Sequence, residues 1–510
     1  MSHHLIGYLI LFLPLFSSLL CLLINLPRSN FLIYLSNNLL LITSSLILAI
    51  NLPNFNSHIT SEVSSKVISA GINYDIGILG LVFILLITFI KTLTAIFYKN
   101  FLQNFFNDYN EKLFYAINLL NLSAVIGIFS TNNIINLYLF IEIYSLTFYA
   151  ISCSSKEKSL NELAFRYFYQ GSVGSVLILI SLLFLYINFE TSNFDEIFLA
   201  IKALLEQGNY LLISLIFIIL IFGIILKFFP FWLYFRDIRS ADFLSHFILS
   251  HLLFVKVIIG FYLLIKLVYF IFGSEFIFDV LRLDLLLLPF AFFLIFYGNI
   301  NILRHNNFKV IIAYFCLIYF GFFLIVLSLN SLGSLISAFF FILHYSLIGF
   351  LLLLICGYMV SNFKNCNVIS NSTDVSLNAE FDIKNLIFLQ NDNWLSQYLL
   401  KILILFIVAF PLTFLFMANW QLSNFIMQKK YIILIFIPIF STFIVFANLA
   451  IKMLNYLHLK TANKSISSIN LQDNIYYLTS LFLGVLAILI FALNPKFSLD
   501  IFRNLALYLL

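Results

Sequence analysis

Three charged residues stand where lipid-like sequence surrounds them. Glu142 is the only charge in "INLYLFIEIYSLTFYAIS", Lys227 lies in "LKFFPFW", and Lys256 lies in "HLLFVKVIIGFYLL". A lysine at the centre of a membrane helix costs roughly 2.5–3.5 kcal/mol on insertion scales, so such a residue needs a partner and a purpose. A carboxylate and an ammonium in a dry interior shift each other's proton affinity. Linked by water, they can pass a proton along, and Glu142 is the available partner for the lysines. The same pair can also act as a fixed fastener between helices, and the residues alone leave both readings open. Pro230 follows Lys227 by three positions. Proline removes a backbone donor and frees carbonyls beside the lysine, an expected helix break at an ion site, although Lys227 could instead snorkel from a helix end. His251 and His344 are poised by the ordinary histidine pKa to take or give a proton, but each could equally be a hydrogen-bonded core histidine. Lys91, in "LLITFIKTLTAIFYKN", either joins this set or snorkels to the inner surface.

Composition limits what surrounds these residues. Of 510 residues, 63% are hydrophobic and 10% charged, which excludes a soluble globular chain and indicates a polytopic membrane protein. The five cysteines, Cys21, Cys153, Cys316, Cys356 and Cys366, are far apart and form no metal-ligand or redox spacing, so no metal site is expected. A net charge of +5 without a basic cluster gives no ground for nucleic-acid binding.

With about 20 apolar residues per span, the sequence predicts an all-α membrane fold of about fourteen helices. The spans lie near 5–25, 31–51, 72–98, 113–130, 133–153, 167–188, 210–230, 243–269, 280–300, 308–329, 334–360, 397–418, 431–454 and 474–494. Residues 1–510 read as one membrane domain, with a polar surface loop at 361–393. The first run has no basic leader or cleavage site, so it is expected to remain as a membrane helix. With the N-terminus outside, fifteen of the 27 Lys and Arg residues fall in inner loops and eight, Lys266 among them, on the outer side. The positive-inside rule then puts both termini outside.

Read in order, these motifs resemble the antiporter-like subunits shared by the membrane arm of respiratory complex I (NADH:quinone oxidoreductase) and the Mrp-type cation/proton antiporters. "NLYLFIEIYSLTFYAIS" resembles that family's fifth helix, with Glu142 at its glutamate. "LKFFPFW" and "HLLFVKVIIGFYLL" resemble the broken seventh and the eighth helices, and "NNFKVIIAYFCLIYFGFFLIVL" the next inner-loop-to-helix motif. The resemblance implies two inverted five-helix repeats, at 113–269 and 280–454, after N-terminal helices in 1–110 and before a C-terminal helix in 474–510. It also implies a second broken helix at Pro411 and a polar axis for protons. The chain departs from the pattern at Asn424, where the family usually has Lys or Glu, and at Ile348, where a lysine often follows the histidine by four. Asparagine cannot exchange a proton near neutral pH, so the second half is expected to be a degenerate site.

The functional expectation is a proton- or cation/proton-translocating subunit of a larger membrane complex. Its proton-handling residues would be Glu142, Lys227, Lys256, His251 and His344, with helix breaks at Pro230 and Pro411. Other membrane subunits, the lipid bilayer, protons, and sodium or potassium are its expected partners. No cofactor and no catalytic chemistry of its own are expected, and the location would be a bacterial inner membrane. Two alternatives are a diverged, non-conducting structural subunit and a lipid-linked sugar transferase. The latter would want paired acids in an early outer loop, where 52–71 offers only Glu62.

Overall fold

In the computed structural model the residues described here are 2–23, 27–51, 60–63, 72–105, 108–153, 158–206, 210–229, 249–355, 357, 394–407, 413–426, 432–458 and 471–509. The expectations for Pro230, Pro411, the polar loop at 361–393 and the segment 231–242 fall outside them. Among the described residues, ten helices are long and apolar enough to cross a membrane, and four shorter apolar helical stretches accompany them. The protein is a multi-pass membrane protein, in agreement with the expected helical class.

The described residues form two compact units, one from Met1–Pro230 and Val255–Leu281, the other from Phe231–Phe254 and Arg282–Leu510. The first unit begins with α1 (Ser2–Leu23) and α2 (Pro27–Asn51), followed by a short antiparallel pair, β1 (Thr60–Val63) and β2 (Ile72–Asp75). Then come α3 (Ile78–Phe105), α4 (Asp108–Ser130), α5 (Ile134–Cys153), α6 (Lys158–Phe189), α7 (Phe194–Glu206), α8 (Leu211–Phe228) and α9 (Lys256–Lys266). The third span was expected from residue 72, but 72–75 pair as a strand with Thr60–Val63 and the helix starts at Ile78. Helix α7 was not foreseen as an element. Its Ile197 and Ile201 are buried while Leu199 is exposed, the one-sided pattern of a helix lying on the bundle rather than crossing it.

Within this unit α4 packs between α1 and α5, and α6 lies along α8. Two glycines set the second contact. A Cβ on Gly174 would stand 2.9 Å from the Cβ of Lys227, and one on Gly223 would stand 3.0 Å from the backbone nitrogen of Ile178. Small residues let two membrane helices approach at backbone distance, and here that closeness puts the α6 face beside Lys227.

The second unit contains α10 (Asp284–Arg304), α11 (Phe308–Leu329), α12 (Leu332–His344), α13 (Trp394–Ile407), α14 (Phe414–Ile426), α15 (Ile432–His458), α16 (Leu471–Leu493) and α17 (Pro495–Leu509). Helix α11 is capped by Asn307, whose side chain accepts from the Lys309 amide, and ends at Asn330 in the left-handed region (φ 38°). Ser331 then caps α12 through a reciprocal capping box with Ser334. Asparagine tolerates that backbone and serine supplies the acceptor, so "NS" turns the chain sharply between two spans. The spans Phe308–Leu329 and Leu332–Ile355 are buried along nearly their whole length and form this unit's core. Within the twelfth span, expected over 397–418, the described residues form helix up to Ile407 and again from Phe414, and residues 408–412 lie outside them.

Candidate functional site

Glu142 sits midway along α5, and its carboxylate meets Lys227 of α8 at 2.7 Å. The lysine side chain is 2% exposed and the glutamate 28%, so the pair is closed at its cationic end and partly open at its anionic end. Lys227 also donates to the Ser175 hydroxyl of α6 at 2.7 Å, and Ser145 donates to the other Glu142 oxygen at 3.3 Å. The pair is therefore charge-matched and further hydrogen-bonded, the condition under which burying charge is tolerable. Helix α8 ends at Phe228, one residue after Lys227, with Phe229 departing from helical geometry. Lys227 thus lies in the last turn of a helix, where the macrodipole favours a cation.

Lys256 opens α9 and is buried, its ammonium 6.0 Å from the centre of the Tyr167 ring and within electrostatic reach of Lys227. The approach is enforced at Gly260, where a Cβ would stand 2.5 Å from the Phe229 ring and 3.0 Å from the Phe228 Cβ. Glu142, Lys227 and Lys256 are thus brought together on three helices of one unit. Lys91 does not snorkel: it is buried, donating to the Asn121 side chain at 2.8 Å. Lys266, expected as an outer-loop charge, lies instead in the last turn of α9, buried, and donates to the Thr131 carbonyl next to the Phe194 ring.

The second unit holds a different set. His344, the last residue of α12, is fully buried; its Nε2 lies 3.1 Å from the Phe406 carbonyl and its Nδ1 meets the Tyr319 hydroxyl. A carbonyl only accepts, so Nε2 carries the proton and Nδ1 accepts from tyrosine. Phe406 belongs to α13, and its carbonyl is the acceptor that fixes the histidine. A π-helical turn, Tyr345–Gly349, follows His344, and the Tyr345 hydroxyl donates to Leu253 in a second π-helical turn, His251–Val255. His251 opens that turn and is buried. Asn424 is exposed on α14, and no described contact joins it to His344.

Sequence reading missed, among others, Ser145, Ser175, Tyr319 and Asn121. For Ser175 a signal existed in "QGSVGS", a small and polar run inside an apolar helix. Tyr319, one of 27 tyrosines, had none.

A family model described as NADH:quinone oxidoreductase/Mrp antiporter, transmembrane, matches residues 131–445. That stretch carries α5 through α14, the first half of α15, and all the residues just described except Lys91 and Asn121. The chain belongs to this family. The family membership sets aside the sugar-transferase alternative. NADH-quinone oxidoreductase subunit N of Buchnera aphidicola subsp. Schizaphis graminum is 26% identical over 329 residues, 63% of this chain and 63% of that protein. The matched stretch thus spans less than two thirds of that relative. Among solved structures, a chain of the Mrp complex from Dietzia sp. DQ12-45-1b superposes with TM-score 0.79 at 12% identity, covering 100% of this chain and 98% of that one. A chain of the membrane-bound sulfane sulfur reductase, an archaeal respiratory membrane complex, gives TM-score 0.77 at 19% identity, covering 98% and 96%. At these identities the likeness extends to the fold, and the polytopic antiporter-like fold is shared along the full length.

Proposed function

We propose that this chain is a proton-translocating subunit of a multisubunit membrane complex, either the membrane arm of a complex I or an Mrp-type antiporter, with no redox chemistry of its own. The observation that carries the reading is the Glu142–Lys227 pair at 2.7 Å with Lys256 in electrostatic reach. Two amines share one carboxylate, so the site has one more proton-holding base than it has countercharge. Protonation of Glu142 from its half-open side weakens its hold on Lys227 and lets the charge shift toward Lys256; loss of a proton from Lys256 draws it back. A buried ion pair alternating in this way moves a proton without leaving either charge unpaired for long. In the second unit Tyr319 and His344 are the proton-handling groups, and Asn424 takes no part. Sodium or potassium could exchange for protons in an Mrp-type assembly. The location is a bacterial inner membrane with both termini outside, in keeping with the loop charge.

A second reading, a non-conducting fastener, draws support from Asn424, which removes a titratable centre from the second half. Glu142→Gln separates the two. The amide keeps the size and the hydrogen bond to Lys227 but cannot ionise. The relay reading expects normal abundance by membrane immunoblot and at least about tenfold slower proton uptake in vesicles, a transport barrier raised by about 1.4 kcal/mol or more. Normal uptake at matched abundance rules out the relay. The proteins that co-purify in mild detergent distinguish a complex I from an Mrp assembly.

A further inference from the structure

Outside the Glu142 pair, the first unit carries a second line of buried polar groups. Glu111, Tyr115, Asn118 and Asn121 run down one face of α4 at spacings of four, three and three residues, and all four are buried. On this face Lys91 of α3 donates to the Asn121 side chain at 2.8 Å and approaches the Asn118 carbonyl at 3.5 Å. Asn121 in turn donates to the Thr147 hydroxyl at 3.0 Å and the Tyr144 carbonyl at 3.2 Å, both on α5, the helix of Glu142. The Tyr144 ring stacks on Phe228, the neighbour of Lys227, with centroids 6.3 Å apart. At the other end the Tyr115 hydroxyl lies within electrostatic reach of Glu111.

A plain fastener between α3, α4 and α5 would need only the Lys91–Asn121–Thr147 contacts. The line continues past them on both sides with polar atoms that have no protein partner: the Tyr115 hydroxyl, the Asn118 side-chain oxygen and the Tyr144 hydroxyl, each fully enclosed. Buried polar groups are satisfied by protein or by ordered water, and where unpartnered groups follow one another along a helix face, water is what can serve them all. Lys91 stands in the middle of that line with no described carboxylate beside it.

We propose that this face of α4 is a hydrated proton route that feeds the Glu142–Lys227 pair from the Glu111 end, with Lys91 as its proton-holding station. The proposal rests on the proton-transport reading above. In each transfer the Lys91 ammonium gives a proton to water on the Tyr144 side and regains one from water on the Tyr115 side.

Hydroxyl-radical footprinting of the purified, assembled complex tests the hydration without any substitution, because the radicals form from water in place. Tyr115 and Tyr144 should be oxidised several times faster than Tyr262, an equally buried tyrosine of the same unit whose hydroxyl is already bound to the Phe129 carbonyl at 2.8 Å. Equal rates overturn the route. The second arm is Lys91→Met, which keeps the length and removes the amine; proton uptake in vesicles should fall about tenfold at matched abundance. Full uptake in Lys91→Met overturns the route even if the tyrosines are hydrated. Failure of the relay itself would be read separately, from Glu142→Gln.

Discussion

The two units solve the problem of a buried polar centre in opposite ways. The first spends charge: a carboxylate, two amines and a serine on α5, α6, α8 and α9, with one side of the carboxylate open. The second holds His344 between two neutral partners, the Tyr319 hydroxyl and the Phe406 backbone carbonyl. A charged pair responds strongly to a proton arriving on either member, because the partner is then left uncompensated. A neutral hydrogen-bonded histidine responds weakly, since each of its nitrogens already has what it needs. The contrast teaches that one chain can build buried polar centres of different chemistry.

The largest test of this contrast is Glu142→Leu. It strands the 2%-exposed Lys227 as an uncompensated cation, at a cost of roughly 3–5 kcal/mol, and should deplete the chain from the membrane. Lys227→Met should be milder on abundance, because the carboxylate it leaves behind is 28% exposed where the lysine is 2%; equal depletion in immunoblots would contradict the asymmetry of the pair. Next comes Gly174→Val, which pushes a branched side chain into Lys227 and the Gly223 carbonyl. Overpacking of this kind costs about 1–3 kcal/mol and should lower the melting temperature of the complex along with transport. Tyr319→Phe should be smaller still. It removes one hydrogen bond from His344, worth about 1 kcal/mol, and a thermal shift as large as that of Gly174→Val would show that the second centre is not neutral. The smallest effect is expected for Asn424→Ala: exposed and outside the polar set, it should change stability by less than about 0.5 kcal/mol and leave vesicle transport at the wild-type rate.

Much of the first centre could be read in the sequence because charge is rare there. One glutamate in an apolar helix and two lysines in others leave few ways to pair, and Glu142 with Lys227 is the pair found. Ser175 and Asn121 were harder to see, since a serine or asparagine in a membrane span is ordinary and only its neighbour across the interface gives it a role. His344 was visible, but its partners were not: Tyr319 is one aromatic among many, and the Phe406 carbonyl is no side chain at all. The spans were legible to within a turn or so where apolar runs end in polar ones. They failed where a strand precedes a helix, as at 72–75. Helices α7 and α17 lack the uniform apolarity that marks a crossing, so a search for spans passes over them.

The bond from His344 to Phe406 has a consequence for direction. A carbonyl oxygen can hold a proton's attention but cannot accept custody of it, so the Tyr319–His344 line is a cul-de-sac as long as the imidazole keeps this orientation. For a proton taken up at Nδ1 to go on, the ring must swing away from the Phe406 carbonyl and offer its Nε2 hydrogen to something basic. Turnover in this unit would then proceed one ring rotation at a time, with that carbonyl serving as the latch.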